Sequence, residues 1–295
     1  MGAITLGYEE MMQPPAEDRA APAEAAADAA KGSHSTAPAP SGAGGARMAR
    51  LTRSRRPGGL RDRIRRDGPL TLIARWLGRL LLGFAALSLA AALLFRFVDP
   101  PGTYLIWSEH WRLGAVEQEW RALDDFAPSL RRAVVAAEDA RFCDHRGFDR
   151  DALRAAIRRW RAGGSLIGGS TISQQTAKNL FLWPDRSLLR KGFEFWFTAL
   201  IEVLWPKERI LEVYLNIAEF GEGAFGAEAG ARRAFGSSAA ELSLARAAQL
   251  ASVLPAPRVF SPSDPARGAR VQDIIDGART LAAERRDRCL GLGAP

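Results

Sequence analysis

Residues 206–220 read PKERILEVYLNIAEF, and this stretch decides the fold class of the chain. Apolar side chains at Ile210, Val213 and Ile217 follow the i, i+3, i+7 spacing that places them on one face of an α-helix. Pro206 opens the stretch at a first-turn position, where a proline removes no helical hydrogen bond. Runs of alternating polar and apolar residues are almost absent elsewhere, so the sequence predicts a mainly α fold.

Three more segments repeat the helical spacing. RDALRAAIRRW covers residues 150–160, and Asp149 is placed to cap its start. AELSLARAAQLASVL and RVQDIIDGARTLAAERR follow at residues 240–254 and 270–286. With 295 residues, the chain can hold one fair-sized domain and its appendages.

The N-terminal third differs in composition from the rest. Residues 1–46 are dominated by Ala, Pro, Gly and Ser, which predicts a disordered tail. Residues 47–75 form an arginine-rich segment. The run LLLGFAALSLAAALLF, residues 80–95, carries no charge, and with its flanks it predicts a transmembrane helix over residues 76–98. A buried core helix or the apolar part of a signal peptide is the alternative, although signal peptides begin at the extreme N-terminus.

The charge distribution orients this helix and argues against a nucleic-acid partner. Residues 1–98 carry 14 Lys+Arg and 8 Asp+Glu, whereas the remaining residues carry 27 and 25. A basic excess before the helix predicts a cytoplasmic N-terminus and an extracytoplasmic remainder. The nearly balanced remainder indicates no basic nucleic-acid groove. We interpret residues 99–123 as a linker or the start of the extracytoplasmic region, and residues 124–290 as the main domain.

Cys143 and Cys289 are the two cysteines of the chain, and they match no zinc or redox spacing. They suit one disulfide in an exported domain, or two small buried apolar positions, equally well.

Two glycine patterns resemble nucleotide-binding motifs but lack their context. GEGAFG, residues 221–226, follows a helical pattern rather than a strand, so we interpret it as a turn between helices. GSLIGGST, residues 164–171, has Ser170 where a phosphate-binding loop needs a lysine. Ser170 or Thr171 can instead cap a following helix, whose free N–H groups would favour an anion.

The segment that follows this helix start is rich in amide and cationic side chains. They are Gln174, Gln175, Lys178, Arg186, Arg190 and Lys191. Solvated surface cations are the plainer interpretation, but a substrate that carries a diphosphate would use such a cluster. Glu194 follows among aromatic residues, which suit either a core or a surface that rests on a membrane.

Glu138 and Asp139 lie within VVAAEDARFCDHRGFD, residues 134–149. The residues alone permit a catalytic group, half of a metal site or the polar end of a surface helix. Adjacent helical side chains point about 100° apart, so the two carboxylates cannot both address one atom. Asp144 and His145 lie past the expected helix end, which argues against the metal site.

Five segments, in order along the chain, resemble the signature motifs of the peptidoglycan glycosyltransferases, the family 51 glycosyltransferases found as the transglycosylase module of class A penicillin-binding proteins. They are AAEDARFCDHRGFD, GGSTISQQTAKNLFLW, RKGFEFWFTALIE, KERILEVYLNIAEFGEGAFGAEAGARRAFG and LARAAQLASVLPAPRVFSP. The resemblance covers about residues 124–275. Since the chain ends soon afterwards, we expect a monofunctional biosynthetic member without a transpeptidase domain.

The resemblance implies a mainly α, lysozyme-like domain with one N-terminal transmembrane helix in the bacterial inner membrane. It implies polymerisation of lipid II, with inversion at the sugar and release of undecaprenyl pyrophosphate. Glu138 would be the general base, and Glu194 would organise the pyrophosphate side. The implied substrate-binding residues are Asp139, Ser170, Thr171, Gln174, Gln175, Lys178, Arg186, Arg190 and Lys191, with Asp139 supporting the site from behind.

The resemblance also implies the cofactors and partners. No prosthetic group is expected. A divalent Mg or Mn ion is expected at the pyrophosphate, and the residues that would bind it are unassigned. The expected partners are lipid II, the nascent glycan chain, the lipid bilayer and cell-wall elongation or division proteins, with no nucleic acid.

Two departures from the family pattern lie outside the catalytic motifs. Arg246 stands where a glutamate is frequent, and Ala234 where an aromatic residue is frequent.

Two alternative functions remain open. A lysozyme-like glycan-cleaving enzyme would not need the diphosphate cluster, and an inactive cell-wall assembly scaffold would not need both glutamates and the cations.

Overall fold

The computed structural model describes residues 60–163, 169–185 and 187–292, and this part of the chain is mainly helical. The helices are α1 (Leu60–Phe97), α2 (Tyr104–Leu113), α3 (Pro128–Glu138), α4 (Arg150–Arg161), α5 (Ile172–Phe181), α6 (Leu188–Leu204), α7 (Lys207–Ile217), α8 (Ala227–Phe235), α9 (Leu244–Ser252) and α10 (Gly268–Ala283). Short 3₁₀ turns cover Leu123–Asp125, Ala239–Glu241 and Pro265–Arg267. The predicted fold class is confirmed.

A small three-stranded sheet lies beside the helices. Its strands are β1 (Glu117–Gln118), β2 (Glu219–Gly221) and β3 (Ala224–Phe225); β3 is central, parallel to β1 and antiparallel to β2. The turn expected at residues 221–226 is therefore a hairpin between α7 and α8. A Cβ at Gly226, whose φ is 85°, would lie 3.0 Å from the Asn216 carbonyl oxygen, so a glycine is required there.

The core lies between two helical layers. In one layer α3 packs against α9 and α10, and in the other α5 packs against α6 and α7. The fully buried side chains that join the layers include Leu130, Val134, Ile172, Leu211 and Leu250. The apolar spacing in α7 therefore faces this core, as predicted. Burial of this kind stabilises a fold by about 1.5–3 kcal/mol for each large aliphatic side chain.

The first helix has the length and composition of a membrane span. A break at Gly68, with φ 73°, separates its arginine-rich start from the apolar part. Gly68–Phe97 has 30 residues and a mean hydropathy of 2.1 in its most apolar window. By these criteria alone it can cross a membrane, and it contains nearly all of the span predicted at residues 76–98. The expected tail at residues 1–46 and the first part of the arginine-rich segment lie outside the described residues.

Helix α1 packs along α6. The indole Nε1 of Trp196 donates to Ser88 Oγ at 3.1 Å, and that of Trp205 donates to the Ala92 carbonyl at 2.6 Å. The Phe84 ring lies 5.3 Å from that of Phe193. The apolar helix is thus joined to the domain by side chains of α6.

The segment interpreted as a linker, residues 99–123, has structure of its own. It contains α2, β1 and the start of a 3₁₀ turn. Thr103 caps α2 by accepting from the Ile106 N–H at 3.2 Å, and Glu109 is buried against Arg112 and Arg258. The main domain therefore begins earlier than residue 124.

The C-terminal segment is fastened to the loop after α3. Cys143 and Cys289 form a disulfide with their Cα atoms 5.5 Å apart, which settles the two alternatives for the cysteines. Arg131, buried in α3, donates to the carbonyls of Leu290 and Gly291 at 3.0 Å each. The described residues up to Gly291 are therefore part of the folded domain.

Candidate active site

Glu138 is the last residue of α3, and Asp139 is its C-terminal cap, with φ −159° and ψ 71°. The cap leaves the helical conformation, and the two adjacent carboxylates bond different groups. Asp139 is 7% exposed and accepts hydrogen bonds from the Ile172 backbone N–H at 3.0 Å and from His145 Nε2 at 2.9 Å. It thereby joins the end of α3 to the start of α5, and its expected supporting role in catalysis stays a prediction.

The Glu138 carboxylate faces a largely desolvated space with a single hydrogen bond from α5. Gln175 Nε2 donates to Glu138 Oε2 at 2.7 Å. Burial raises the pKa of Glu138, whereas the Gln175 hydrogen bond and the charges of Arg270 and Lys178 act in the opposite direction. Because a carboxyl with a raised pKa is a stronger proton acceptor when ionised, Glu138 suits general-base chemistry.

The start of α5 is built by Thr171 rather than by Ser170. Thr171 Oγ1 accepts from the Gln174 N–H at 3.2 Å, and Gln174 Oε1 accepts from the Thr171 N–H at 3.0 Å, which is a reciprocal capping box. Thr171 Oγ1 also donates to the Gly147 carbonyl at 2.7 Å. Thr171 and Gln174 are thus engaged in holding the helix, while Ser170 is exposed beside them. Their expected contacts with substrate stay predictions.

Glu194 lies on α6 at the centre of a cationic cluster. It is 3% exposed, and it accepts from Arg190 Nη1 at 3.2 Å and from Lys191 Nζ. Ser187 caps this helix by accepting from the Arg190 N–H, which fixes the turn that carries both cations. Arg186, expected in the same cluster, lies outside the described residues.

Lys178 of α5 is half-buried and lies within electrostatic reach of both carboxylates. Burial lowers its pKa, and the charges of Glu194 and Glu138 both act to raise it. Arg190 and Lys191 also lie within electrostatic reach and lower it further. The structure therefore places Glu138, and Glu194 with its cations, within electrostatic reach of one lysine.

A cavity of about 230 Å³ opens between α4, the start of α5 and α6. Ser170 and Lys191 contribute polar walls, and Phe148 and Phe195 form an apolar wall by stacking at 5.0 Å. This places a mixed polar and apolar space next to the cationic cluster.

Three potential metal ligands lie close together, which the sequence interpretation missed. Oxygen and nitrogen atoms of Asp139, His145 and Asp149 lie within 4.8 Å of one another. However, Asp149 Oδ1 accepts from the backbone N–H groups of Asp151 and Ala152 and caps α4, as predicted. Asp139 and His145 bond each other, so the cluster is explained by structural hydrogen bonds.

The cluster around Glu194 does not fit a resident divalent cation. Both of its oxygens already accept from cationic side chains, and Lys178 adds a third positive charge. A divalent ion would meet repulsion there unless these contacts broke. These residues therefore do not support the Mg or Mn ion expected from the resemblance, and no step below is routed through a metal.

Comparison with known proteins identifies this arrangement. Residues 108–279 match the family model described as "Transglycosylase". The chain belongs to the transglycosylase family. The match begins within α2, inside the segment interpreted as a linker, so the transglycosylase domain includes that helix.

Several relatives share about half of their residues with this transglycosylase. The biosynthetic peptidoglycan transglycosylase of Rhodospirillum centenum is 50% identical over 235 residues, which cover 76% of this chain and 97% of the relative. The protein of the same name from Pseudomonas fluorescens (strain Pf0-1) is 52% identical over 202 residues, covering 66% and 84%. That of Stutzerimonas stutzeri is 53% identical over 197 residues, covering 65% and 81%. The resemblance inferred from the motifs is confirmed.

Proposed function

We propose that this transglycosylase is a peptidoglycan glycosyltransferase that polymerises lipid II into glycan strands by an inverting transfer. The observation that carries the proposal is the arrangement of two packed helices. Helix α5 bonds Glu138 through Gln175 and presents Lys178 one turn further on, while Glu194 on α6 holds Arg190 and Lys191. A base on one side and a group of cations on the other is what transfer from a sugar diphosphate to a hydroxyl requires.

The transfer begins at Glu138. Its carboxylate takes the proton of the acceptor sugar's 4-hydroxyl, and the freed oxygen attacks C1 of the donor chain. The bond between C1 and the pyrophosphate oxygen breaks on the opposite face, so the configuration at C1 inverts. Undecaprenyl pyrophosphate leaves as an anion and needs no proton, because Lys178, Arg190 and Lys191 stabilise its charge. A positioned base supplies about 10²–10⁴-fold in rate.

The supporting residues keep these two sides in place. Glu194 holds the Arg190 and Lys191 side chains toward the pyrophosphate, and Asp139 holds the end of α3 against α5. Ser170 stands at the mouth of the cavity beside Lys191, where a phosphate or sugar oxygen can reach it. Arg186 is retained as a proposed diphosphate ligand from its motif.

We further propose that α1 anchors the enzyme in the inner membrane with its N-terminus in the cytoplasm. Thirty helical residues span about 45 Å, whereas the hydrocarbon core is about 30 Å thick. The extra helix length is consistent with the packing of α6 along the C-terminal half of α1, from Phe84 to Ala92. The Cys143–Cys289 disulfide supports an oxidising compartment for the domain.

The function is tested with purified full-length protein, labelled lipid II and detergent. Long glycan strands are expected, sensitive to moenomycin and insensitive to penicillin. Glu138→Gln is expected to lose most of this activity, whereas Glu241→Gln, which changes an exposed carboxylate, is the matched control and is expected to retain it. Shortening of preformed glycan without synthesis would favour the glycan-cleaving alternative, and inactivity of the parent would favour the scaffold.

The topology is tested by an alkaline phosphatase fusion after Pro295. We expect the fusion to be active, because that reporter folds only outside the cytoplasm. Activity of a cytoplasmic reporter at the same position would contradict the proposed orientation.

A further inference from the structure

Gln175 links the proposed base to the centre of the domain. Its Nε2 donates to Glu138 Oε2 at 2.7 Å, and its Oε1 accepts from the Tyr214 hydroxyl at 3.5 Å. Tyr214 belongs to α7 and is 1% exposed. The three side chains therefore form one chain of hydrogen bonds from the core to the carboxylate.

The direction of this chain is fixed by chemistry. An ionised carboxylate only accepts hydrogen bonds, so the amide must turn its NH₂ group toward Glu138. Burial raises the pKa of Tyr214 well above its usual value, and the charges of Glu138 and Asp139 act the same way, so its hydroxyl keeps its proton. The Glu138 carboxylate therefore selects the orientation that places the amide oxygen on the Tyr214 side, where the hydroxyl donates to it. Tyr214 thus supports Gln175 in the orientation that serves the base.

Three charged side chains act on Glu138 in addition to the Gln175 hydrogen bond. Arg270 of α10 donates to the Ala137 carbonyl at 2.7 Å and acts on Glu138 through its charge. Lys178 of α5 and Asp139 act through their charges, in opposite directions. The Gln175 amide is the one side chain among the described residues that hydrogen-bonds the Glu138 carboxylate. It therefore determines which oxygen is occupied and which is left for the acceptor hydroxyl.

We propose that Gln175 is a positioning residue that aims Glu138 Oε1 at the acceptor hydroxyl, with Tyr214 holding its amide. This replaces the sequence-based expectation that Gln175 binds substrate, and it rests on the proposed function. A positioned base accelerates transfer without changing donor affinity, so loss of Gln175 lowers kcat rather than raising KM.

The test compares Gln175→Met, which keeps length and removes the donor, with the parent enzyme. We expect kcat for lipid II polymerisation to fall about 10- to 100-fold, with KM unchanged within error. The acidic limb of the kcat–pH profile is expected to move to higher pH, because a hydrogen bond that favours the ionised form of Glu138 is lost. Gln272→Met, at an exposed glutamine of α10, is the matched control and is expected to change neither value.

Tyr214→Phe tests the hydrogen bond from the Tyr214 hydroxyl to the Gln175 amide. Alone it is expected to lower kcat less than Gln175→Met and to move the acidic limb in the same direction. Combined with Gln175→Met it is expected to add nothing, since Tyr214 acts through the amide. Additive effects of the two substitutions would overturn the linked chain. A raised KM with unchanged kcat in Gln175→Met would overturn the positioning role and assign the amide to substrate.

A measurement without turnover separates this inference from the proposed function. Carbon-13 NMR of labelled glutamate side chains follows the titration of Glu138, with the resonance assigned by its loss in Glu138→Gln. The Glu138 titration is expected at higher pH in Gln175→Met than in the parent, even if the parent failed to polymerise lipid II. An unchanged titration in a variant that still unfolds cooperatively would refute the inference.

Discussion

Glu138→Gln is expected to abolish catalysis and, at neutral pH, to stabilise the protein. The carboxylate is held at the end of α3 with one side-chain hydrogen bond, and burial is the largest influence on its pKa. An amide of the same shape removes the buried charge and can still accept from Gln175. The proposed base therefore carries a stability cost that the inactive variant lacks.

The magnitude follows from opposing contributions. Replacing a charged acceptor by a neutral one weakens the Gln175 hydrogen bond by about 1 kcal/mol. The attractions of Arg270 and Lys178 for the carboxylate are lost as well. Desolvation of an ion costs several kcal/mol, and the raised pKa of Glu138 means that this cost exceeds the attractions. We expect a net gain on the order of 1 kcal/mol, which raises Tm by about 2–4 °C in a domain of this size.

The difference in stability between the parent and Glu138→Gln depends on pH. The folded-state pKa of Glu138 is raised, so the neutral form is favoured in the fold. Parent and variant are expected to be equally stable at pH values below the ordinary glutamate range. The difference should open as the pH rises from the ordinary glutamate pKa to the raised pKa, and it should stay constant at higher pH.

Differential scanning calorimetry in detergent across this pH range measures the effect. The control is Glu241→Gln, which changes an exposed carboxylate. A Glu138→Gln variant that is less stable than the parent at neutral pH, or equally stable at every pH, would refute the burial argument.

Three further substitutions or treatments test other contacts. Lys178→Met is expected to lower kcat/KM about 10²–10³-fold without lowering Tm, because it removes a half-buried cation that faces the pyrophosphate; a change under twofold in a polymerisation assay would contradict its role. Cys289→Ser is expected to lower the free energy of unfolding by roughly 2–5 kcal/mol by opening the disulfide-closed loop, and chemical denaturation that finds no loss would contradict this. Dialysis against EDTA is expected to leave the polymerisation rate unchanged, since Arg and Lys side chains alone can neutralise a diphosphate; inactivation reversed by added Mn would show that a metal is needed.

Local sequence patterns predicted the helices well because their signals lie within a few residues. The spacing in residues 206–220 and the cap at Asp149 each involve neighbours along the chain, and both appear in the structure. The helix within residues 99–123 was not predicted, for a related reason. Helix α2 buries Ile106 and Glu109 while Trp107 and Trp111 remain exposed, so it has no continuous apolar face to reveal it.

The candidate site was only partly predictable because its contacts join distant positions. The motifs indicated Glu138, Lys178 and Glu194 together with Gln175, Arg190 and Lys191, but not the contacts that Tyr214 and Arg270 make around them. Tyr214 lies 39 residues from Gln175, and Arg270 lies 133 residues from Ala137, the carbonyl it contacts. No periodicity encodes such pairs, because they depend on how α5, α7 and α10 pack around α3.

The attachment of the C-terminal segment has a consequence for how the enzyme matures. Arg286 donates to the Ala140 carbonyl at 2.9 Å, and Cys289 bonds Cys143, so the loop that carries His145 to Asp139 is completed by residues near the end of the chain. In the proposed topology these residues cross the membrane after all five motifs. The loop behind Glu138 therefore gains its final support only after Cys289 has been exported. A chain that stalled shortly before residue 286 would display all its motifs yet lack this support.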